Sequence, residues 1–466
     1  MPAQLNNYSV TPGVTVTTSN AFSPLASTSS TSGPSTEELS QHYLLSLRLI
    51  DAILEGDRQL VDKLVLQERV DCWISDELST QGWTALHAAA YIGDVGLLKM
   101  LLRKGNAVWN LVDNLGCSAG DIAYSMNNAK AYKFLMEEGV RAEMLRAVME
   151  DAADLEGEQE EDAIEEEKEE EEQTSKQQDT EMKTTDEAEE EIKLSTASSL
   201  TQYLSQPLTY TTDSNGQPIC LDSEGNGVMM GWEKPIMFET VQAQLSKGWS
   251  DRKGKSRAEL LEEEEGDRYH LRVMNVGFGL GIVDTFYQEF NPTLHLIIEP
   301  HPDVLKFAKE QGWFDKPGVR FFQGTWQEWI KALEEGKEEW VEWDAIYFDT
   351  YSEHYKDLRS FLSQTPNLLS SSSPQNQASV SFFHGLGATS RSFYDVYTSV
   401  SQLHLLEFGL KTEWTEVEVL NEEDEDVWEK TGWRGENEGG KGERKKYWEW
   451  EKAVGKYRLP VCRLEY

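Results

Sequence analysis

The second half of the chain alternates short apolar stretches with segments whose apolar residues recur at helical spacing. Five of these stretches are rich in β-branched and aromatic residues: LRVMNVGF, LHLIIEP, VRFFQG, WDAIYFDTY and ASVSFFHG. Strands that alternate with helices in this way predict an α/β domain built on a parallel sheet. Near the chain end, TEWTEVEVL and KYRLPVCRLEY predict an antiparallel hairpin, and we interpret the polar residues 421–446 between them as a surface loop.

Residues 37–148 have a helical, repetitive pattern instead. The segment 82–105 recurs in a weaker form as segment 116–139. The offset of about 34 residues, together with the motif TALHAAA at residues 84–90, resembles ankyrin repeats. An earlier helical segment around Gly56-Asp57 offers a partial third copy. Because about three stacked units are needed for a stable solenoid, we predict a small all-α ankyrin domain that stands alone or docks on the rest of the chain.

The two copies differ where the first helix of each repeat begins. Leu86 and His87 of the first copy are replaced by Gly120 and Asp121 in the second. We interpret His87 and the glycines of the repeats as residues that serve the fold rather than chemistry.

Two polar segments lie outside the predicted domains, one at the amino terminus and one between the two domains. Residues 1–36 consist mainly of Ser, Thr, Pro, Asn and Gly, which predicts a disordered tail. Between positions 150 and 193 there are about 22 acidic and 4 basic side chains, which repel one another and cannot build a core. We therefore predict a disordered acidic linker over residues 149–195 and an α/β domain over residues 196–466.

The overall charge and the cysteines exclude several classes of protein. A formal net charge of −40 argues against direct binding to nucleic acid, which needs clustered Lys and Arg, and favours basic partners. Four scattered cysteines do not form a disulfide framework or a CxxC metal site, so we predict no metal and a reducing compartment. No Lys or Arg precedes Arg48, so we expect neither a secretory signal, which needs a basic region, nor an arginine-rich mitochondrial signal. No apolar run approaches the length of a membrane helix. We expect a protein of the cytoplasm and nucleus.

Three alternate glycines carry the first chemical signal. Gly277, Gly279 and Gly281 follow an apolar strand, and the acidic Glu299 ends the next apolar strand. Glycines in a turn between a strand and a helix allow the backbone to approach a nucleotide, and an acid at the second strand end accepts from ribose hydroxyls. The third glycine of the GxGxxG pattern is absent, which argues against NAD and FAD. The alternative is that these glycines only pack a helix against a strand.

Several ordered motifs make the assignment more specific. The blocks VMMGWEKPIM, VGFGLGI, IIEPH, GTWQ and FDTY follow one another along the chain, and YRLPVC lies near its end. In these motifs the chain resembles the guanidinoacetate N-methyltransferases and, more closely, their fungal relatives, the arginine δ-N-methyltransferases, whose amino-terminal ankyrin region it shares. The resemblance implies a class I S-adenosylmethionine-dependent methyltransferase fold, which is Rossmann-like with a mostly parallel sheet.

The resemblance also implies how S-adenosylmethionine is bound. The implied residues at the glycine turn, the ribose, the adenine and the remainder of the cofactor shell are Phe278, Gly279, Leu280, Gly281, Ile282, Val283, Glu299, Pro300, His301, Trp326, Gln327, Met237, Asp349 and Tyr203. Asn275 departs from a common pattern of these enzymes, in which an acid precedes the glycine turn.

Glu233 and Asp349 are the candidate catalytic pair. Glu233 lies in WEKP, where the proline is typical of a helix start, and Asp349 follows an apolar strand, at the edge where open α/β sheets bind ligands. Two carboxylates can hold a planar guanidinium through bidentate hydrogen bonds and draw its positive charge toward the held nitrogens, which leaves another nitrogen more nucleophilic. The alternatives are a helix-capping role for Glu233 and a turn-forming role for Asp349.

The resulting hypothesis is an enzyme that methylates the internal δ nitrogen of arginine in a protein substrate, which by resemblance is ribosomal. The ankyrin region would make the protein contacts that recruit this substrate. Two alternatives stay open: a methyltransferase of a small guanidino metabolite such as guanidinoacetate, and a non-catalytic ankyrin adaptor.

Overall fold

The computed structural model describes most of the region that the sequence predicts to be ordered. The described residues are 36–66, 70–76, 81–174, 200–212, 218–223, 225, 227–255, 259–260, 270–351, 354–371, 378–388, 390–418 and 456–465. The predicted tail up to residue 35, the linker residues 175–195 and the predicted loop 421–446 lie outside them.

The α-helices are α1 Thr36–Glu55, α2 Arg58–Val65, α3 Ala85–Ile92, α4 Val95–Lys104, α5 Ala119–Ser125, α6 Ala129–Thr174, α7 Lys234–Leu245, α8 Ile282–Gln288, α9 Pro302–Glu310, α10 Trp326–Glu334, α11 Tyr355–Leu368 and α12 Arg391–Glu407. The strands are β1 Thr209–Thr212, β2 Pro218–Leu221, β3 Gly227–Met230, β4 Arg272–Val276, β5 Leu294–Ile298, β6 Val319–Phe322, β7 Ala345–Phe348, β8 Ser379–Phe382, β9 Leu410–Val417 and β10 Tyr457–Leu464.

The main sheet has seven strands in the order β6-β5-β4-β7-β8-β10-β9. The five strands from β6 to β8 are parallel, and β10 pairs antiparallel with both β8 and β9. The strand order reverses between β4 and β7, which is where sheets of this kind bind ligands at the carboxyl ends of the strands. The predicted fold class, a mostly parallel sheet with a carboxy-terminal antiparallel hairpin after a helical repeat domain, is confirmed.

Register places the strand ends side by side. Val276, the last residue of β4, is level with Ile298 of β5 and with Phe348 of β7. The residues that follow these three strands therefore meet at one edge of the sheet. A second, small antiparallel sheet, β1-β2-β3, leads into α7.

The helical region forms its own core and also packs against the α/β domain. Apolar side chains of α1 to α6 form one buried cluster, with Leu49, Leu86 and Leu98 fully enclosed. Acidic N-caps begin two of the helices: Asp57 accepts from the N–H of Leu60, and Asp94 accepts from the N–H of Leu97. The long α6 packs along α12, so the helical region docks on the α/β domain.

The structure differs from the predicted linker at its start. We expected residues 149–195 to be disordered, but α6 continues through this boundary to Thr174. The Glu-rich segment EEDAIEEEKEEEEQT lacks Gly and Pro and is composed largely of residues that favour helix, which accounts for the continuation. Charge alone therefore did not mark where regular structure ends.

Candidate functional site

A cavity of about 400 Å³ opens at the carboxyl edge of the main sheet. Residues that follow β4, β5, β7 and β8 form its floor, and β3 and the start of α11 form its sides. This is the position at which the sequence predicted a ligand.

Gly277 brings two of these strand ends together. Its φ of 94° lies in the region that favours glycine, and a Cβ at this position would collide with the backbone carbonyl oxygen of Asp349. The N–H of Gly277 donates to the carbonyl of Ile298 at 2.9 Å, and the N–H of Asp349 donates to the carbonyl of Val276 at 2.9 Å. The glycine is required here by close packing of backbone on backbone, and it places Asp349 beside the turn.

Glu299 holds the glycine turn from the neighbouring strand. Its carboxylate accepts from the N–H of Phe278 at 2.9 Å and from the N–H of His301 at 2.7 Å. Burial raises the pKa of Glu299 to about 7, although these backbone donors favour its ionised form. Glu299 lines the cavity, so its carboxylate can also accept hydrogen bonds from a ligand there.

The His301 imidazole fastens a segment over the sheet edge. Its Nδ1 accepts from the N–H of Asp303 at 3.1 Å, which leaves Nε2 to donate to the carbonyls of Tyr203 and Gln206, at 3.2 and 3.1 Å. The Tyr203 ring packs against the ring of His301 and against that of Tyr351, with centroids 4.9 and 5.0 Å apart. His301 is fully buried, so it supports the cavity wall through Tyr203 and does not line the cavity.

Glu233 and Asp349 both line the cavity and lie close enough for their negative charges to oppose each other. Glu233 is 5 % exposed and precedes α7, but its side chain makes no capping hydrogen bond, so the helix-capping alternative does not describe it. Burial, and then the proximity of Asp349, raises the pKa of Glu233 well above its usual value. Burial also raises the pKa of Asp349, to about 7. Two close carboxylates in a desolvated site retain a proton near neutral pH unless a cation lies between them.

Tyr347 lies beneath this pair. Its side chain is 1 % exposed. Among the described residues, no partner of its hydroxyl meets both the distance and the angle required of a hydrogen bond. The hydroxyl is nevertheless close enough to lower the pKa of Asp349, against the larger effect of burial. Tyr347 therefore favours the ionised form of Asp349.

Trp326 forms another part of the wall. It is the first residue of α10, where Thr325 and Glu328 form a capping box: the Thr325 hydroxyl accepts from the N–H of Glu328 at 3.2 Å. The Trp326 ring packs edge-on against Phe361, with centroids 5.4 Å apart. The cap fixes the first turn of the helix and thereby the position of the indole.

The structure brings seven of the predicted site residues to the cavity wall: Tyr203, Glu233, Gly279, Glu299, Pro300, Trp326 and Asp349. Others lie behind the wall or outside it and do not line the cavity: Met237, Phe278, Leu280, Gly281, Ile282, Val283, His301 and Gln327. Met237, Phe278 and Val283 are buried in the core, whereas Gln327 is exposed to solvent. Gly281, with a φ of 68°, is the N-cap of α8.

Several wall residues were not predicted. Met229 of β3 covers the glycine turn, where its Sδ accepts from the N–H of Leu280 at 2.9 Å. Three more unpredicted residues line the same edge: Tyr351, which follows β7, Leu386, which follows β8, and Tyr355, which begins α11. The signal for Tyr351 was its place in FDTY, and that for Met229 was its place in VMMGWEKPIM.

The arrangement suits a ligand with a planar cationic group. An acidic pair, of which Glu233 is buried and Asp349 partly buried, lies next to a glycine turn and a carboxylate that already accepts from backbone N–H groups. Within the described residues no group of His, Cys, Asp and Glu side chains is placed to hold a metal ion. Across the same residues, no helix combines the length and apolar character needed to cross a membrane.

Comparison with known proteins identifies both parts of the chain. A family model for ankyrin repeats, in three copies, matches residues 49–144. The chain is 31% identical over 428 residues to protein arginine N-methyltransferase 2 of Cryptococcus neoformans. This alignment covers 90% of this chain and 95% of that protein. It is 35% identical to the protein of the same name in Emericella nidulans (79% and 78% covered) and 37% identical to that of Neurospora crassa (76% and 78%).

Two solved structures resemble parts of the chain. A putative methyltransferase from Thermoplasma acidophilum has a TM-score of 0.25 at 14% identity and covers 43% of this chain and 70% of its own. Spermidine synthase from Thermotoga maritima has a TM-score of 0.31 at 11% identity and covers 55% and 73%.

Proposed function

This chain belongs to the family of proteins named protein arginine N-methyltransferase 2, and from this premise we propose that it transfers a methyl group from S-adenosylmethionine to an arginine side chain of a protein. The observation that carries the proposal is the pair formed by the buried Glu233 and the partly buried Asp349, which shares one cavity with the glycine turn.

The residues of the cavity fit the cofactor. Gly277 and Gly279 line the cavity with backbone alone, Glu299 would present a carboxylate to the ribose hydroxyls, and Trp326 would offer an aromatic wall for the base. When bound, S-adenosylmethionine supplies an electrophilic methyl group on a sulfonium. The protein's part is to position the acceptor in line with that group, since such a transfer depends mainly on orientation.

The carboxylate pair can hold the acceptor guanidinium in position and make one of its nitrogens more nucleophilic. A guanidinium keeps its charge at all ordinary pH values, and that delocalised charge leaves its nitrogens poorly nucleophilic. Glu233 and Asp349 can accept hydrogen bonds from two of the nitrogens and localise positive charge on them, which makes the remaining nitrogen more reactive. In that arrangement the guanidinium also replaces the proton that the empty pair retains.

The finer part of the proposal is methylation of the internal δ nitrogen in a ribosomal protein. The net charge of −40 is suited to a strongly basic substrate, and the ankyrin repeats add a surface for protein contacts. A small guanidino metabolite needs no such repeats, which is why a protein substrate is preferred.

The direct test replaces each carboxylate in the full chain. Glu233→Gln and Asp349→Asn should abolish methyl transfer from radiolabelled S-adenosylmethionine to a methylation-deficient lysate, while calorimetry shows that both variants still bind the cofactor. Glu239→Gln, an exposed change on the helix that follows Glu233, is the matched control and should retain activity. Full activity in either site variant would contradict the mechanism.

The fate of the label separates the candidate substrates. Label in the protein fraction supports a protein substrate, and label only in the acid-soluble fraction would indicate a metabolite. Fragmentation of the methylated arginine by mass spectrometry then shows whether the δ nitrogen or a terminal nitrogen carries the methyl group.

A further inference from the structure

The weaker ankyrin copy makes a buried polar contact with the α/β domain. One carboxylate oxygen of Asp121 accepts from the backbone N–H of Ser392 at 3.1 Å, and the other accepts from the hydroxyl of Ser390 at 2.7 Å. The hydroxyls of Ser118 and Ser392 lie 2.5 Å apart. Ser118, Ser390 and Ser392 are each at least 96 % buried and Asp121 is partly buried, so the contact is largely shielded from water.

Gly120 lets the two regions approach this closely. A Cβ at this position would lie 2.5 Å from the Cβ of Ser392, which is far inside van der Waals contact. The φ of Gly120 is not positive, so backbone conformation gives no reason for a glycine in α5. The small residue is explained by the contact itself.

The first ankyrin copy shows what the second has changed. Its corresponding residues, Leu86 and His87, are buried within the ankyrin core, where His87 Nδ1 lies 2.8 Å from the Thr84 hydroxyl and Nε2 lies 3.0 Å from the carbonyl of Cys117. In the second copy, Asp121 keeps the same capping contact, accepting from the N–H and the hydroxyl of Ser118 at 3.0 and 2.8 Å. In addition, Asp121 and Gly120 contact Ser392 of the α/β domain. The departure from the repeat pattern therefore coincides with a docking contact.

The segment held by Asp121 leads directly from the cavity. Gly385 and Leu386 line the cavity, and Ser390 is the N-cap of α12 four residues later. The described residues around this stretch are closely packed: the N–H of Ser390 donates to the carbonyl of Gly387 at 3.0 Å, and a Cβ on Gly387 would lie 2.7 Å from the backbone of Phe393. The contact at Ser390 and the cavity wall at Leu386 are therefore only four residues apart in the chain.

Two further contacts hold the same wall from α6. Glu143 accepts from the Tyr397 hydroxyl at 3.3 Å, and the Tyr397 ring packs against that of Tyr355, which lines the cavity. Asp151 forms an ion pair with Arg359, one turn further along α11. Helix α6 thus contacts α11, whose first turn lines the cavity, and α12, which follows the wall segment after β8.

We propose that Gly120 and Asp121 are positioning residues for the methyl acceptor: they fix the segment after β8, and with it the acceptor side of the cavity, from the ankyrin region. The proposal rests on the proposed function for its catalytic consequence, whereas the docking contact is independent of it. The ankyrin region is then a structural part of the active site as well as a surface for partners.

The first test is Gly120→Ala in the full chain. Alanine favours helix, so the ankyrin region itself is not weakened, but the added methyl group separates α5 from Ser392. We expect methyl transfer per active site to fall by about tenfold or more, since small displacements of a reacting group are costly, while the affinity for S-adenosylmethionine changes less than about twofold. Gly96→Ala in α4, whose Cβ would meet only its own Asp94 at 3.2 Å, is the matched control and should behave as the wild type.

Rescue and exchange measurements complete the test. The double variant Gly120→Ala/Ser392→Gly restores the space and should regain activity. Hydrogen exchange in the peptide 383–393 should increase in Gly120→Ala and in Asp121→Asn, but not in Gly96→Ala, and this readout holds even if the wild type proves to have another activity. Unchanged exchange and turnover in Gly120→Ala, or an equal loss in Gly96→Ala, would overturn the proposal.

Discussion

Asn275 donates from its Nδ2 to both carboxylate oxygens of Asp284, at 3.0 and 2.9 Å, directly beneath the glycine turn. The same amide donates to the carbonyl of Gly277 at 2.8 Å, and Asp284 also lies 3.0 Å from Nε2 of His295. Asn275, Asp284 and His295 are all fully buried. The amide at position 275 therefore supports the turn, and Asp284 supplies the carboxylate next to it.

This relationship predicts that Asn275→Asp destabilises the fold. The change removes a donor and places a second carboxylate against Asp284 in a dry environment, which should lower the free energy of unfolding by about 2–4 kcal/mol at pH 7. Urea denaturation measures the loss.

The exchanged pair provides the control. Asn275→Asp combined with Asp284→Asn restores one amide and one carboxylate and should recover at least half of the lost stability. If the double variant is no more stable than Asn275→Asp, the pairing of these two side chains is not the cause.

The sequence predicted the features that are encoded locally. Apolar strands, the glycine turn at Gly277 and the acid at Glu299 follow from short-range patterns, because strand ends and turn residues are adjacent in the chain. The contact between Asp121 and Ser392 joins residues 271 positions apart, and no local pattern reports it. The raised pKa of Asp349 likewise depends on burial, which arises only when distant elements pack.

Gly277→Ala should be far more damaging than its φ alone suggests. A residue with a side chain is strained at a positive φ, and this cost of about 1 kcal/mol also applies to Gly312→Ala, where φ is 74° and nothing lies within 4 Å of the added Cβ. At Gly277 the Cβ additionally collides with the Asp349 backbone, so we expect a loss of about 3 kcal/mol or more. Equal melting temperatures of the two variants would contradict the close approach.

Glu299 should make stability depend on pH. Its pKa rises from a usual value of 4.5 to about 7 in the folded protein because of burial, so its contribution is fully present below pH 4.5 and is lost as the pH rises through about 7. Relative to Glu299→Gln, the wild type should therefore lose up to about 3 kcal/mol between these pH values.

Urea denaturation of both proteins from pH 4 to pH 8 measures this difference. Glutamine also loses one backbone acceptor, but that effect is constant with pH and does not alter the slope. Glu239→Gln, at an exposed position, is the control for the loss of a carboxylate. A constant difference between wild type and Glu299→Gln would show that Glu299 does not titrate in this range.

Binding of a guanidinium should release a proton from the carboxylate pair. Burial raises the pKa of both Glu233 and Asp349, so the empty pair retains a proton that a cation displaces. With methylguanidinium as the probe, the affinity should rise from pH 6 to pH 8, by at most about tenfold per pH unit. Calorimetry in buffers of different ionisation enthalpy counts the protons, and an affinity that is constant with pH would argue against the coupled pair.

Tyr347→Phe should shift the pH dependence of methylguanidinium binding to higher pH. The Tyr347 hydroxyl lowers the pKa of Asp349, so its removal raises the pKa further, and the rise in methylguanidinium affinity should shift to higher pH. Tyr287→Phe is the matched control, because that buried hydroxyl donates to Gln244 and not to the carboxylate pair. Both variants lose a buried hydroxyl and some stability, but only Tyr347→Phe should change the pH at which the cation binds. An equal shift in the two variants would mean that general loosening of the core, and not the Tyr347 hydroxyl, sets the pKa of Asp349.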